Sequence, residues 1–276
     1  MVGKITPRHS EAFIAHRIAS GLSPSSINKD IATLRRVFNL AIEPRGYLAE
    51  GQNPFAKLKK RKVAQEPIRY VTVEEYHALK RETTDLWWKA LISVGYGSGL
   101  RRNEILHLTW VDIDFEHQRI HVSPKKASRD TLEWEPKDHE NRIVPMAQET
   151  SRFLIDLQAQ APESHPYIFI SPDRLQGIRR RQQAGSWTSR SQVINNMGRH
   201  LELIRTRAGV AKFTLHDLRR SAITNWAQEL PIQVVQQLAG HSDISTTRKY
   251  HLTVRSEDLA SANDVLNRIL AKARGD

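Results

Sequence analysis

The chain has 276 residues, 39% of them hydrophobic, which is enough for two domains with a core and argues against wholesale disorder. It has no cysteine, which excludes disulfides, thiolate metal sites and thiol catalysis, and it shows neither the ~20-residue apolar run of a membrane span nor a signal peptide. Its 42 Lys and Arg residues exceed its 30 acidic residues, and the net charge of +12 favours a polyanionic partner, nucleic acid before an anionic membrane.

The N-terminal part of the chain reads as helical. After start signals at Ser23 and Pro24, apolar residues recur at helical spacings of three and four. They are Ile27, Ile31, Leu34, Phe38 and Ala41. The basic, proline-containing segment 57–69 (KLKKRKVAQEPIR) is predicted to be an interdomain linker, with a solvated run of charge as the alternative. We therefore predict a small all-α domain over residues 1–64 and a second domain over residues 65–276.

The second domain is predicted to be mainly α with a small antiparallel β-sheet. Thr72 and Glu75 form a T-x-x-E capping box before one helix, and LWWKALISVGYG reads as another. Short alternating apolar runs, which are typical of strands, follow at Val111, Ile113 and Phe115, at Ile120 and Val122, at Leu132 and Trp134, and at Ile143. From Gln148 onward the pattern is helical, except for a predicted loop around SPDRLQGIRRRQQAGSW. The predicted fold class is an α+β domain preceded by an all-α helical domain.

Three local patterns combine residues that suit chemistry on a phosphate. GSGLRRNEILHLTW places an arginine after a glycine-rich bend and a glutamate three residues on. TLHDLRRSAITNWA places a histidine and an arginine at i and i+3 on one helical face, and AGHSDISTTRKY holds a histidine and a tyrosine nine residues apart. The candidate residues are Arg101, Glu104, His216, Arg219, His241 and Tyr250.

A tyrosine, two arginines and two histidines form a credible set for phosphoryl transfer by covalent catalysis. The phenol has a pKa of about 10, so at neutral pH it is a poor nucleophile unless cations or a base help it lose its proton. Two guanidinium groups aimed at the non-bridging oxygens of a phosphodiester stabilise the developing charge without a metal ion. Histidines donate hydrogen bonds to the same oxygens or accept the phenolic proton, and a lysine on a mobile hairpin protonates the leaving alkoxide.

These patterns, in this order, resemble the tyrosine recombinases of the phage integrase family. That family shows G-L-R with an acidic residue three positions after the arginine, a hairpin lysine, H-x-x-R and L-G-H-x-x-x-x-T-T-x-x-Y. Here the motifs read GLRRNE, HDLR and LAGHSDISTTRKY, the last with one extra alanine, and the match spans residues from about 70 to 255. Residues 1–65 resemble the family's helical core-binding domain more loosely, and an initial helix is expected to be missing or reduced.

The resemblance implies a role for each candidate residue and neither a metal nor a cofactor. Tyr250 is the implied nucleophile that forms a 3′-phosphotyrosyl bond, and Arg101 and Arg219 clamp the scissile phosphate. His216 assists proton transfer, and His241 hydrogen-bonds the phosphate or positions the tyrosine. Glu104 orients its neighbours, with an ordinary carboxylate on a helix face as the alternative.

The hairpin lysine has more than one candidate. Lys137 lies in WEPKDHENRIVP, which resembles the family's K-x-x-x-x-R-x-V-P close of the hairpin. Lys125 and Lys126 lie at the end of the preceding strand, where a shorter hairpin places its lysine. We favour Lys137.

Further basic residues are predicted to contact DNA phosphates. Arginine pairs and triplets suit this contact because the planar fork makes two hydrogen bonds to phosphate oxygens. The set consists of Lys57, Lys59, Lys60, Arg61, Lys62, Arg102, Lys125, Lys126, Arg179, Arg180, Arg181 and Arg220.

The resemblance implies a site-specific DNA recombinase of the cytoplasm, associated with the nucleoid and not with a membrane. The alternatives are a catalytically silent DNA-binding protein of the same fold and a relaxing enzyme like the type IB topoisomerases. The expected partner is double-stranded DNA, with a homotetramer on synapsed DNA and a monomer or weak oligomer when free.

The segment SEDLASANDVLNRILAKARGD is predicted to be an amphipathic helix that packs on its own domain or on a neighbouring subunit. Its apolar stripe is Leu259, Ala262, Leu266, Ile269 and Ala273.

Overall fold

The computed structural model of this chain divides into two compact units, Met1–Glu66 and Pro67–Asp276. The residues described are 2–64, 69–136, 141–188, 193–194 and 196–251, without the side chains of residues 2 and 249–251. The predicted C-terminal amphipathic helix, residues 256–276, lies outside them.

The N-terminal unit is built on two helices, α1 (Pro7–Ala19) and α2 (Pro24–Ile42). The predicted apolar positions of α2 are confirmed, because Ile27, Ile31, Phe38 and Ala41 are buried and Leu34 packs at the edge of the core. Ser23 caps the helix by accepting the Ser26 backbone N–H at 3.2 Å. The apolar pattern did not reveal α1, since its one buried residue, Ser10, is polar and donates to the Pro54 carbonyl.

The first part of the predicted linker belongs to this N-terminal unit. Asn28 of α2 donates to the Arg61 carbonyl at 2.9 Å and accepts the Arg61 backbone N–H at 2.8 Å. Arg35 donates to the Leu58 carbonyl at 2.7 Å, and Leu58 packs against the helical core. The chain up to Arg61 is therefore held against α2 by hydrogen bonds from α2 side chains to its backbone, which the basic composition of this segment did not predict.

The C-terminal unit is organised around a central apolar helix. Its helices are α3 (Val73–Glu82), α4 (Leu86–Ser98), α5 (Arg102–Leu106), α6 (Gln148–Ala159), α7 (Pro172–Gln183), α8 (Met197–Arg207), α9 (Leu215–Glu229), α10 (Ile232–Ala239) and α11 (Ile244–His251). Helix α4 packs against both α6 and α9, and its Leu91, Ile92 and Val94 are fully buried. The capping box is confirmed, because Thr72 accepts the Glu75 N–H and Glu75 accepts the Thr72 N–H. Across the described part of the chain, no helix has the length and apolar character of a membrane span.

A small antiparallel sheet with strand order β1-β2-β3 lies beside these helices, and it confirms the predicted fold class. The strands are β1 (Ile113–Asp114), β2 (Arg119–Val122) and β3 (Arg142–Pro145). Ile120 pairs with Ile113 on one side and Val144 on the other, and Ile120 and Val144 are fully buried. The sheet places Arg142 at the start of β3.

Two details of the predicted strands are wrong. Val111 is 90% exposed in a short 3-10 turn, Trp110–Asp112, because the Asp112 carboxylate accepts the backbone N–H and the hydroxyl of Thr109 and so bends the chain. Leu132 and Trp134 are not part of a regular strand, and their segment is tied to the sheet's end by one bridge between Lys125 and Trp134.

The predicted loop around residues 171–187 is largely the helix α7. Ser171 caps it by accepting the Arg174 N–H at 3.3 Å, and Pro172 takes the first helical position, where its missing N–H costs nothing. Leu175 and Ile178 are its buried residues. The segment is largely polar, and its two buried apolar residues lie only three positions apart. The spacing of apolar residues therefore did not predict this helix.

Candidate active site

The C-terminal end of α10 accepts hydrogen bonds from three arginines. The last carbonyl groups of a helix have no partner within it, and they carry the negative end of its dipole, so cations are favoured there. The arginines come from distant parts of the chain, one just before α5, one in β3 and one in α9. Arg142 donates to Leu238 (Nε–O 3.1 Å), Arg219 to Ala239 (Nη2–O 2.7 Å) and Arg101 to Gly240 (Nη2–O 2.7 Å).

Arg219 links the ends of two helices. Its side chain is buried and also donates from Nη1 to the Gly99 carbonyl at 2.6 Å. Gly99 ends α4 with a φ of +61°, and a Cβ there would lie 2.9 Å from the Trp226 ring. The guanidinium group is therefore held in one orientation by acceptors on both sides.

Glu104 is a buried carboxylate between two of these arginines. It accepts the backbone N–H of Arg101 at 2.7 Å and the Arg101 Nη1 at 3.0 Å. Arg142 contacts both of its oxygens, with Nη1 at 3.1 Å and Nη2 at 2.5 Å. Burial alone would raise the pKa of Glu104, but the hydrogen bonds and charges of Arg142 and Arg101 outweigh burial and lower it. Glu104 is therefore an ionised anchor for both guanidinium groups.

His216 lies on α9 near the arginines. The helix start is fixed by a capping box in which Asp217 accepts the backbone N–H and hydroxyl of Thr214. Partial burial of the ring lowers the pKa of His216, and the positive charges of Arg220, Arg219 and Arg101 lower it further against the opposing effect of Asp217. The imidazole is therefore mainly neutral at pH 7, the form that accepts a proton.

His241 follows the α10 terminus directly. Its Nδ1 is 2.9 Å from the Thr247 hydroxyl, and its carbonyl accepts from the Gln236 side chain at 3.0 Å. Thr247 is fully buried in α11, three residues before Tyr250. Tyr250 itself lies in α11, but its side chain is outside the described residues. The histidine ring is thus oriented by the helix that contains the predicted nucleophile.

The lysine candidates differ in their surroundings. Lys137 lies outside the described residues. The Lys125 ammonium group pairs with the buried carboxylate of Asp112 and lies 3.4 Å from the Ser123 hydroxyl, whereas Lys126 is exposed. Lys125 therefore already has a structural partner, which makes it the less suitable of these two as a mobile proton donor.

The predicted DNA-contacting residues fall into two groups. Most are exposed: Lys57, Lys59, Lys60, Arg61, Lys62, Lys126, Arg180 and Arg181. The others are half-buried and engaged with the protein. Arg220 pairs with Asp217 at 2.8 Å, Arg179 lies 3.5 Å from the Ser128 carbonyl, and Lys125 pairs with Asp112. Arg102 donates to the Ile194 carbonyl at 2.7 Å, and burial lowers its pKa. A phosphate would have to compete with these contacts.

Arg142 is the residue of this cluster that the sequence interpretation gave no role. The signal was present, because Arg142 is the arginine of the K-x-x-x-x-R-x-V-P pattern. Its contacts with Glu104 and Leu238 depend on residues 38 and 96 positions away, which local spacing does not reveal.

The assembled residues suit the binding of an anion. Arg101 and Arg219 are fixed by protein acceptors, so their orientation costs little entropy when a phosphate binds. A neutral imidazole near them can accept or pass on a proton. Among the described residues, no group of three or more His, Asp or Glu side chains is placed to hold a metal ion.

Gly240→Ala is expected to destabilise the protein. Gly240 has a φ of +60°, and an added Cβ would lie 3.1 Å from the Arg142 Nη1 and 3.2 Å from its Cζ. Backbone strain costs about 1–2 kcal/mol in such a conformation, and the displaced guanidinium group adds roughly 1–3 kcal/mol. Gly209→Ala is the matched control, because Gly209 has a φ of +66° with no atom within 4 Å of the added Cβ. Equal losses of unfolding free energy in urea for the two variants would contradict close packing at Gly240.

Comparison with known proteins gives the family of this chain. The sequence model of the phage integrase family matches residues 71–255. The tyrosine recombinase XerA of Pyrococcus furiosus is 26% identical over 252 residues, which cover 89% of this chain and 76% of that protein. The residues matched by the family model include all three motifs, from GLRRNE to the segment that ends at Tyr250.

Solved structures share the fold. A crystal structure of XerA recombinase is similar at a TM-score of 0.53 and 22% identity, covering 94% of this chain and 82% of that chain. The Tn1549 transposon integrase in complex with transposon right end DNA gives a TM-score of 0.64 at 17% identity, covering 97% of this chain and 87% of that chain. With a family match over about two thirds of its length, this chain belongs to the phage integrase family.

Proposed function

We propose that this protein is a site-specific DNA recombinase, a tyrosine recombinase that cleaves and rejoins DNA strands through a 3′-phosphotyrosyl intermediate. The observation that carries the proposal is the convergence of Arg101 and Arg219 on the residues next to His241, within a chain of the phage integrase family. Two fixed cations beside the helix of the predicted tyrosine suit a reaction at a phosphodiester. The named relatives are tyrosine recombinases, which supports the same activity here.

In the proposed cleavage step, the Tyr250 oxygen attacks the phosphorus and the bond to the 5′-oxygen breaks. The phenolic proton leaves to a base, and the 5′-oxygen gains a proton and departs as a hydroxyl. Arg101 and Arg219 stabilise the added charge on the non-bridging oxygens. Rejoining is the reverse reaction with a 5′-hydroxyl from another strand. The phosphotyrosyl bond conserves the energy of the broken bond, so the exchange needs no ATP.

The other residues serve proton transfer and orientation. His216, neutral because its pKa is lowered, assists removal of the phenolic proton. His241 donates to the phosphate or positions the tyrosine through α11, and Glu104 keeps Arg101 in place. Lys137 remains our first candidate for the acid that protonates the 5′-oxygen, with Lys126 as the alternative. Alanine substitution at each position distinguishes the two candidates. Loss of the lysine that acts as the acid slows cleavage of normal DNA but not of DNA in which sulfur replaces the 5′-oxygen, because a thiolate leaves without being protonated.

The proposed partner is double-stranded DNA. The net charge of +12 and the exposed basic residues favour phosphate contacts. The Tn1549 integrase of similar fold was solved in complex with DNA, which supports the same kind of ligand. We further propose that four copies assemble on two synapsed sites, that the free protein is a monomer or weak oligomer, and that it acts at the nucleoid.

Trapping of covalent DNA tests the proposal. Sheared, lightly nicked genomic DNA of the source organism is incubated with the protein, and adducts that resist denaturation are recovered and their 3′ ends sequenced. A nick near the cleavage position lets a short fragment diffuse away, so the intermediate accumulates. We expect adducts at a defined sequence and strand exchange between two labelled copies of it.

Two results would contradict a recombinase. Binding without any adduct would mean a catalytically silent DNA-binding protein. Adducts accompanied by relaxation of supercoiled plasmids of any sequence would mean an activity of the type IB topoisomerase kind.

Binding of the recovered duplex is expected to weaken steeply with salt. Each lost phosphate contact reduces the slope of log affinity against log salt concentration by about 0.9. We therefore expect a shallower slope for the variant Lys59→Gln/Lys60→Gln/Lys62→Gln, measured by fluorescence anisotropy. Arg81→Gln, which removes an exposed charge outside the predicted set, is the control. A slope that the triple change leaves unaltered would remove the 57–62 segment from the DNA surface.

A further inference from the structure

We infer that Arg142 is a positioning residue for the phosphate clamp, acting through Glu104 and the C-terminal end of α10 on Arg101 and His241. The inference rests on the proposed function, since it concerns the same reaction. It adds to the site a residue that acts on the predicted clamp through Glu104 and the α10 terminus.

The contacts of Arg142 engage all three of its guanidinium nitrogens. Nη1 and Nη2 form a bidentate pair with the two oxygens of Glu104, and Nε donates to the Leu238 carbonyl. The side chain is 5% exposed, and each of its three nitrogens already donates to a protein acceptor. Its influence on a bound phosphate is therefore indirect.

Glu104 carries this influence to Arg101. One carboxylate oxygen accepts from the side chains of both arginines, and the other accepts the Arg101 backbone N–H and the Arg142 Nη2. Two positive charges thus share one buried negative charge. If Arg142 lost its charge, the full attraction of Glu104 would fall on Arg101 and draw its guanidinium group away from Gly240.

The α10 terminus carries the influence to His241. The Arg142 guanidinium group packs against the Cα of Gly240, which is why a Cβ there would be 3.1 Å from Nη1. Its Nε holds the carbonyl two residues before Gly240, and His241 follows immediately. Arg142 therefore supports the turn that sets the position of His241 relative to the Arg101 and Arg219 contacts.

A lysine cannot reproduce this arrangement. The planar fork of arginine donates in three directions at fixed angles, whereas a lysine ammonium is a point charge that cannot reach both Glu104 oxygens and the Leu238 carbonyl together. Arg142→Lys is therefore expected to preserve the charge balance at Glu104 but to release the α10 terminus.

The test compares two substrates. One is the duplex recovered as an adduct, and the other carries a methylphosphonate at the scissile position, where a methyl group replaces one charged oxygen. An arginine that neutralises that oxygen matters less for the methylphosphonate, because less charge develops there. Single-turnover cleavage rates are measured for the wild type, Arg142→Gln, Arg142→Lys and Arg101→Lys.

If Arg142 positions the clamp, Arg142→Gln slows cleavage of the phosphodiester by about 10²-fold, the cost of misplacing a catalytic group by about 1 Å. Its rate on the methylphosphonate should fall by less than ~10-fold, as should that of Arg101→Lys. Arg142→Lys should lie between Arg142→Gln and the wild type on the phosphodiester.

Arg35→Gln is the matched structural control, because Arg35 is a half-buried arginine of the N-terminal unit that donates to the Phe55 and Leu58 carbonyls. Equal slowing of both substrates by Arg142→Gln, or no slowing, would overturn the inference. If the glutamine variant fails to fold, the ratio of the two rates for Arg142→Lys decides in the same way. A wild type that forms no adduct with any DNA would instead overturn the proposed function itself.

Discussion

Tyr250→Phe is expected to abolish the covalent protein–DNA adduct while leaving DNA affinity unchanged. The substitution removes one oxygen atom, the proposed nucleophile, and keeps the ring and the α11 helix. The chain has no cysteine that could attack in its place. Loss of a nucleophile reduces the rate by at least ~10⁴-fold, which puts the adduct below detection on a denaturing gel. DNA affinity comes from the basic residues and should stay within about twofold of the wild type.

Tyr47→Phe is the control for this variant, because Tyr47 is 67% exposed in the N-terminal unit and should tolerate loss of its hydroxyl. Mass spectrometry of the peptide left on the DNA identifies the attached residue. An adduct that persists in Tyr250→Phe, or a wild-type adduct attached to another residue, would contradict the assignment of the nucleophile.

Arg219→Lys is expected to lower the cleavage rate by roughly 10²–10³-fold, the loss that follows removal of one fixed donor to a developing oxyanion. The variant should also lose stability. Arg219 satisfies the buried carbonyls of Gly99 and Ala239 from two different nitrogens, and a single ammonium group cannot reach both. An unsatisfied buried carbonyl costs about 1–3 kcal/mol, which thermal unfolding should register as a lower Tm.

Arg205→Lys is the matched change outside the arginine cluster, since the half-buried Arg205 of α8 pairs with the exposed carboxylate of Glu202. It should alter the cleavage rate and stability little, because an ion pair with a solvent-exposed partner contributes at most about 1 kcal/mol. If Arg219→Lys cleaved DNA within about threefold of the wild-type rate at a temperature where both are folded, Arg219 would have no place in the clamp.

The sequence was most informative where structure depends on near neighbours. The capping box at Thr72 and the helix α2 follow from spacings of three and four residues, and both are confirmed. The errors arose where a distant or weakly apolar contact decided the conformation. Helix α7 depends on Leu175 and Ile178 reaching the core, and the exposed turn at Val111 depends on the hydrogen bonds of Asp112.

The candidate site shows the same division. The motifs identified Arg101, Glu104, Arg219 and His241 as candidates because each motif is continuous along the chain. The sequence did not predict which basic residues are engaged with the protein, because a positive charge in a sequence does not reveal whether an acceptor lies beside it. Arg102 donates to the Ile194 carbonyl, and Lys125 pairs with Asp112.

By itself, the sequence determined the family, the fold class and the candidates for chemistry, because motif order and hydrophobic periodicity are properties of the chain. Only the tertiary structure decided that three arginines from different elements meet three consecutive carbonyls at the end of α10, with Arg142 paired to Glu104. The physical reason is that these contacts join residues 20 to 139 positions apart, so they form when the helices and the sheet pack, and no local pattern encodes them.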